Sequence, residues 1–210
     1  MNFEGDQVEK QYVVATKQIK LPSDMEKWEK SEAYHEYLGF IQMIGDAICG
    51  KKIRGENIKQ SENIGKLLGT LDQLSNWIDE IQPMEQQQRF GNKAFRDWYD
   101  RVTKLSESLL SPLFTRGDAL KEVLVYFLDS FGNATRIDYG TGHEMAFVMF
   151  LACLFHTKVL DVGVDAPAAG LLVYSKYMNL VRKLQTTYRM EPAGSQGVRL
   201  LKKIVFQFIH

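Results

Sequence analysis

Ile64, Leu67, Leu68, Leu71, Leu74, Ile78 and Ile81 recur at steps of three and four residues and are followed by Pro83. That spacing lines one face of an α-helix, and a proline, lacking the backbone donor, ends it. A stripe of this length has to be covered by neighbouring elements, so the rest of the chain must supply matching faces. It does so with the same period. Tyr34, Leu38, Ile41, Ile44 and Ile48 predict a helix over about 31–49 with Gly50 as its stop, and 51–59 reads as a loop. Phe95, Trp98, Val102, Leu105 and Leu109 predict another over about 93–110, before Pro112. A fourth spans 119–131, with Gly132 beyond it. Thr141 and Glu144 have the spacing of a capping box that opens an apolar helix to about Leu160, and Pro167 prepares a last long helix through Leu184. Ser23 with Glu26, just after Pro22, predicts a short helix at the start. There is no sustained period-two alternation and no fixed repeat, so the expected fold class is all-α.

Composition narrows the function classes. With 210 residues, 45% of them apolar, the chain has material for a core and is not a disordered tail. Its 26 basic and 26 acidic side chains cancel, so the positive excess that holds a polyanion backbone is missing and a primary nucleic-acid binder is not expected. The stretch from Met145 to Phe155 is far shorter than the roughly 20 apolar residues that span a bilayer, which argues for a buried helix and no membrane partner. The first ten residues carry Glu4, Asp6 and Glu9 and no apolar run, so neither a secretory signal nor a transit peptide is expected, and the chain belongs in the cytosol or nucleus. Cys49 and Cys153 lie among apolar neighbours without metal-ligand spacing and are expected to remain thiols.

Two segments depart from the amphipathic pattern. The first, 130–144, concentrates Gly132, Gly140, Gly142, Arg136, Asp138 and Thr141 between two apolar helices. It has two readings. The unpaired N–H groups opening the next helix, glycines that permit close approach and an arginine fork together suit a phosphate. Alternatively, Thr141 and Glu144 cap the helix, the glycines make turns and Arg136 pairs with Asp138. The second segment, 188–198, gives way to a Pro/Gly/Ser loop whose carbonyls and Ser195 are oxygen donors of the kind Mg²⁺ accepts, although its local pattern reads first as a simple exit loop. His35, His143, His156 and His210 have no metal-ligand spacing to one another, and His143, near the helix start, is expected to pack or hydrogen-bond.

These two loops, together with Phe90-Gly-Asn-Lys-Ala-Phe-Arg-Asp-Trp-Tyr99, resemble the signature blocks of the phosphotyrosyl phosphatase activator family, activators of serine/threonine protein phosphatase 2A. The resemblance runs from about Ser31 through Val198 and includes Val181 to Gly197. It implies a multi-helix fold of core, linker and lid subdomains with ATP and Mg²⁺ in the cleft between them. The implied partner is the phosphatase 2A catalytic subunit or core dimer, and the family is also credited with peptidyl-prolyl cis/trans isomerase activity. Carried over by position, Arg136, Thr141 and Gly142 match ATP contacts and Gly197 a backbone ligand of Mg²⁺. Asp138 matches a position important for activation, and Val198 one near the phosphatase contact.

After Val198 the family continues with a Trp-Gly-Leu-Asp-Asp block that bears a metal-binding aspartate, whereas this chain reads Arg199-Leu-Leu-Lys-Lys-Ile-Val-Phe-Gln-Phe-Ile-His210. The expected organisation is therefore a polar lead-in (1–22), a partial activator domain (23–198) and a divergent tail (199–210), with a fold incomplete at the C-terminus and an incomplete Mg²⁺ site. The alternative function is a non-catalytic or inactive interaction fragment lacking the complete ATP and Mg²⁺ cleft.

Overall fold

A computed structural model describes residues 14–16, 18–19, 21–52, 58–85, 90–115 and 117–193, with Asp118 described in its backbone only. Gly197, Val198 and the stretch 199–210 lie outside the described residues.

Helix starts follow from side chains able to take the N–H groups that a first turn leaves unpaired. After a short α1 (Met25–Glu29), Ser31 Oγ accepts from the Tyr34 N–H at 3.2 Å and opens α2 (Glu32–Ile48). Ser61 Oγ does the same for Ile64 N–H at the start of α3 (Glu62–Glu80). Asn92 Oδ1 accepts from Ala94 N–H at 3.0 Å where α4 (Ala94–Leu110) begins, and a 3₁₀ turn over Ser111–Leu113 follows it. Next come α5 (Gly117–Asp129) and α6 (Thr141–His156). Asp161 caps α7 (Val162–Ala168), which runs through a π turn (Ala169–Val173) into α8 (Tyr174–Tyr188). The all-α expectation holds.

Local expectations fail in four places. The short first helix is not opened by a Ser23–Glu26 box: Pro22 starts a 3₁₀ turn, Asp24 Oδ2 accepts from Leu21 N–H at 2.9 Å, and α1 begins at Met25. The Thr141–Glu144 box is not formed either, because Thr141 is already helical and the cap position is Gly140, in extended backbone with no side-chain cap. α6 stops at His156, where Thr157 Oγ1 donates to Cys153 O at 2.8 Å and Lys158 turns left-handed. The last long helix does not start at Pro167. That residue lies inside α7, and the missing rung of the hydrogen-bond ladder is followed two residues later by the wider π turn.

The α3 stripe is buried as its period requires, with Ile64, Leu67, Leu71, Leu74 and Ile78 inside. On α4 the buried line drifts from the expected Leu105 and Leu109 to Ser106 and Leu110, as it must when 3.6 residues make a turn. An aromatic cluster ties the layers together: Trp98 lies against Phe95 and Phe131, Phe131 against Phe127, and Phe147 stacks on Tyr177 with centroids 3.7 Å apart. Trp98 Nε1–H donates to Leu74 O at 3.0 Å, so α4 is keyed to α3 by a buried hydrogen bond as well as by packing. The α2 stripe is only half covered, and Ile41, Ile44 and Ile48 line an apolar groove of about 310 Å³ with α6 and the π turn. Cys49 is exposed and Cys153 half-buried; both are free, and burial pushes the Cys153 thiol up to about 12. No helix among the described residues is long and apolar enough to cross a membrane.

α2 approaches the π turn over Gly170, where an added Cβ would sit 2.8 Å from Ile48 Cγ2 and 3.0 Å from Ile44 Cγ2. Gly170→Ala is expected to cost about 1–3 kcal/mol by overpacking. By contrast Gly69→Ala on the exposed face of α3, where nothing lies within 4 Å, should stabilise by up to about 1 kcal/mol. Urea unfolding midpoints of the two variants read the difference.

Candidate functional site

The loop between α5 and α6 is buried at both ends, 130–132 and 137–139, and exposed at its middle, Thr135 and Arg136. Ser130 Oγ–H donates to Phe127 O at 2.6 Å and closes α5. Gly132 follows with φ +110°, where a Cβ would meet Asp138 O and Met190 Cε at 2.7 Å, so both backbone angle and contact demand glycine. Asn133 Oδ1 then accepts from the N–H groups of Thr135 (3.0 Å) and Arg136 (2.9 Å), and its backbone closes the turn through Ile137 N–H to Asn133 O and Asn133 N–H to Asp138 O. Ile137 is left with φ +52°, an unfavourable angle for a β-branched residue that costs of order 1–3 kcal/mol and persists only where its surroundings overdetermine it.

Those surroundings come from the other two singled-out segments. Asp138–Tyr139 (β1) pairs in parallel with Glu191–Pro192 (β2), through Glu191 N–H to Ile137 O and Ala193 N–H to Tyr139 O, each 2.9 Å. From the third segment Gly91 presses on Ile137, and Asn92 N–H donates to Tyr188 O at 2.7 Å. Asn92 Nδ2 donates to Met84 O and Tyr188 O–H to Ile81 O, so the end of α8 is fastened to the segment after α3. The structure thus brings together the described parts of all three sequence blocks.

Arg136 forks onto Asp138, with Nε and Nη2 donating to the two carboxylate oxygens at 2.5 and 3.1 Å. This realises the local pairing. The Asp138 carboxylate is almost fully buried beneath it, and its hydrogen bond raises the guanidinium pKa further above its ordinary value. The Arg136 side chain nevertheless stays 60% exposed. It borders a cleft of about 600 Å³ whose walls also hold Phe90, Lys93 and Arg96. Thr141 and Gly142 occupy the first turn of α6 and are not part of that cleft's wall. Gly142 is exposed, and a Cβ there would find nothing within 4 Å, so no contact inside the described chain requires a glycine.

The remaining polar groups are fasteners. His143 Nδ1–H donates to Asp129 O at 2.5 Å while its ring lies on Tyr139, which makes it a packing residue linking α5 to α6. Tyr177 O–H donates to Ser130 O and accepts from Tyr139 O–H, both at 2.8 Å. Burial raises the pKa values of Tyr177 and Tyr139, so both stay protonated donors. Burial also raises the Glu144 carboxyl, with Arg182 partly offsetting it. Among the described residues no group of three or more His, Cys, Asp or Glu is placed to hold a metal ion. Tyr177 carries the geometry without having been singled out from the sequence, and Gly91 and Asn92 stood there only as members of a block, with no role of their own; an asparagine just ahead of a helical pattern is the one signal that could have flagged the role of Asn92.

Comparison with known proteins gives the same direction. The family described as "Phosphotyrosyl phosphate activator (PTPA) protein" matches residues 15–209. The serine/threonine-protein phosphatase 2A activator of Drosophila melanogaster is 44% identical over 195 residues, covering 92% of this chain and 48% of that protein. The serine/threonine-protein phosphatase 2A activator 1 of Mycosarcoma maydis is 39% identical over 214 residues, covering 94% and 44%. The chain spans about half the length of the curated relatives it matches. A crystal structure of the PP2A phosphatase activator Ypa1 superposes with a TM-score of 0.77 at 27% identity, over 91% of this chain and 62% of that one.

The contact at Gly91 supplies a direct test of the site's construction. A Cβ there would lie 2.5 Å from Ile137 Cγ2 and 3.0 Å from Ile137 O, which is backbone and cannot swing away. Gly91→Ala is expected to lower stability by about 1–3 kcal/mol in urea unfolding; a wild-type midpoint would show that the two segments are not pressed together.

Proposed function

The chain belongs to the phosphotyrosyl phosphatase activator family, and from that membership we propose that it regulates serine/threonine protein phosphatase 2A by binding the phosphatase catalytic subunit or core dimer with the help of ATP. The observation that carries the nucleotide part is the placing of Arg136: a guanidinium held by Asp138 through Nε and Nη2, on a side chain that stays 60% exposed, on the wall of a cleft that also holds Lys93 and Arg96. A planar guanidinium matches two phosphate oxygens at once, and the N–H groups that open a helix have no intrahelical partner. ATP phosphates would engage Arg136 at the cleft and, outside its wall, the first turn of α6 through Thr141 and the open approach over Gly142. Asp138 competes for the same guanidinium, which makes it the residue that tunes how strongly Arg136 meets an anion.

Magnesium, when bound, would neutralise phosphate charge. Its proposed ligand, the Gly197 carbonyl, lies outside the described residues, as does Val198, the proposed phosphatase contact. Mg²⁺ usually relies on one or two carboxylates as well as phosphate oxygens, so the Gly197 carbonyl by itself would hold it only weakly. Prolyl isomerisation is the enzymatic form of the same reading. It requires only a surface that prefers a twisted amide over a planar one, lowering a barrier of about 18–20 kcal/mol, and no residue is assigned to it. The cytosol or nucleus is the proposed location, where Cys49 and Cys153 stay thiols. The second reading is an interaction fragment that binds the phosphatase without activating it.

Calorimetric titration with ATP, with and without Mg²⁺, followed by an activation assay on purified phosphatase 2A, separates the readings. Arg136→Ala should weaken ATP binding by about 1.5–3 kcal/mol, and Lys93→Ala by less. Gly142→Ala should leave the unfolding midpoint unchanged or slightly raised while weakening ATP. Phosphatase binding without activation would support the fragment reading, and equal ATP affinity in wild type and Arg136→Ala would remove Arg136 from the site.

A further inference from the structure

The turn that presents Arg136 is pinned from both sides of its backbone. Its N–H groups are taken within the turn by Asn133 Oδ1. Its outward carbonyls are taken from another helix: Arg96, near the start of α4, donates from Nε to Ala134 O and from Nη2 to Thr135 O, each at 3.0 Å. Two adjacent carbonyls held by two nitrogens of one planar group fix both position and orientation of the peptide plane, which a single point donor cannot do. The next residues are Arg136 and then Ile137, whose left-handed backbone is held only by its neighbours. Arg96 lines the same cleft as Arg136.

We propose that Arg96 is the positioning residue of the site: its two-carbonyl clasp sets the turn that aims Arg136, so that anion binding at Arg136 depends on the Arg96 fork and not merely on its charge. This rests on the reading that ATP phosphates meet Arg136, and it names a residue beyond those carried over from the family resemblance. Arg96 touches the backbone of the loop and acts through Arg136.

Arg96→Lys separates fork from charge, since lysine keeps the cation but offers a point donor. ATP affinity, measured by calorimetry on the full chain, should fall about tenfold in Arg96→Lys while the thermal midpoint stays at the wild-type value. In an Arg136→Ala background the same substitution should cause no further loss. Wild-type affinity in Arg96→Lys would overturn the proposal, as would a loss that simply adds to that of Arg136→Ala. A readout independent of nucleotide is tryptic cleavage after Arg136, expected to be at least fivefold faster in Arg96→Lys; an unchanged cleavage rate would mean that the clasp does not hold the turn. If the wild-type chain binds no ATP, the nucleotide reading fails by itself, and the cleavage rate still decides whether Arg96 sets the turn.

Discussion

A peptide group removed from water must find a hydrogen-bond partner, and the loop between α5 and α6 buries residues 130–132 and 137–139 without forming a helix. An unmade bond in such a place costs about 1–3 kcal/mol, against a total stability of only 5–15 kcal/mol for an ordinary domain. The partners therefore have to come from elsewhere in the chain, and they do. The carbonyls of Ile137 and Tyr139 are met by the N–H groups of Glu191 and Ala193, and the Tyr188 carbonyl by Asn92. Three segments distant in sequence are forced together by this one requirement, and the close approaches at Gly91, Gly132 and Gly140 follow from it.

The helices make the requirement satisfiable. α4 delivers the Asn92–Arg96 end of its segment because Trp98, a turn further on, is locked against α3 and Phe131. α8 delivers Tyr188 and β2 because Tyr177 is stacked on Phe147 of α6 and bonded to the Ser130 carbonyl at the end of α5. A polar loop that carries the charged chemistry is thus placed by an apolar frame. Arg136 gains its direction from Asp138 beside it, and the frame beneath both keeps the strained Ile137 from relaxing.

The helical frame was legible because periodicity is a local signal. The bounds of α2, α3 and α4 follow from Ser31, Ser61 and Pro112, each of which acts on its own few neighbours. What misled was equally local. Thr141 and Glu144 have the right spacing for a box, yet Gly140 is drawn into extended backbone beside Ala193, and the helix begins one residue earlier than a box capped by Thr141 would place it. Pro167 reads as a helix start but sits within one, because packing of α7 and the π turn on α2 outweighs the lost rung. The parallel pair β1–β2 leaves no trace in the sequence: two residues are too few for alternation, and the pairing joins positions more than fifty residues apart. At the site, the Arg136–Asp138 pair was foreseeable from its spacing, whereas the roles of Gly91 and Asn92 arise only from the long-range approach of the segments.

The central claim is that residues 91–92, 132–139 and 188–193 form one cooperative unit through their backbone pairing. Native-state amide hydrogen exchange reads it directly. The N–H groups of Asn92, Asn133, Ile137, Glu191 and Ala193 should show similar protection and lose it together as urea is added below the unfolding transition. Exchange of Glu191 and Ala193 at unprotected rates, while Asn133 and Ile137 remain slow, would contradict the account by showing that the loop holds its shape without the segment that follows α8.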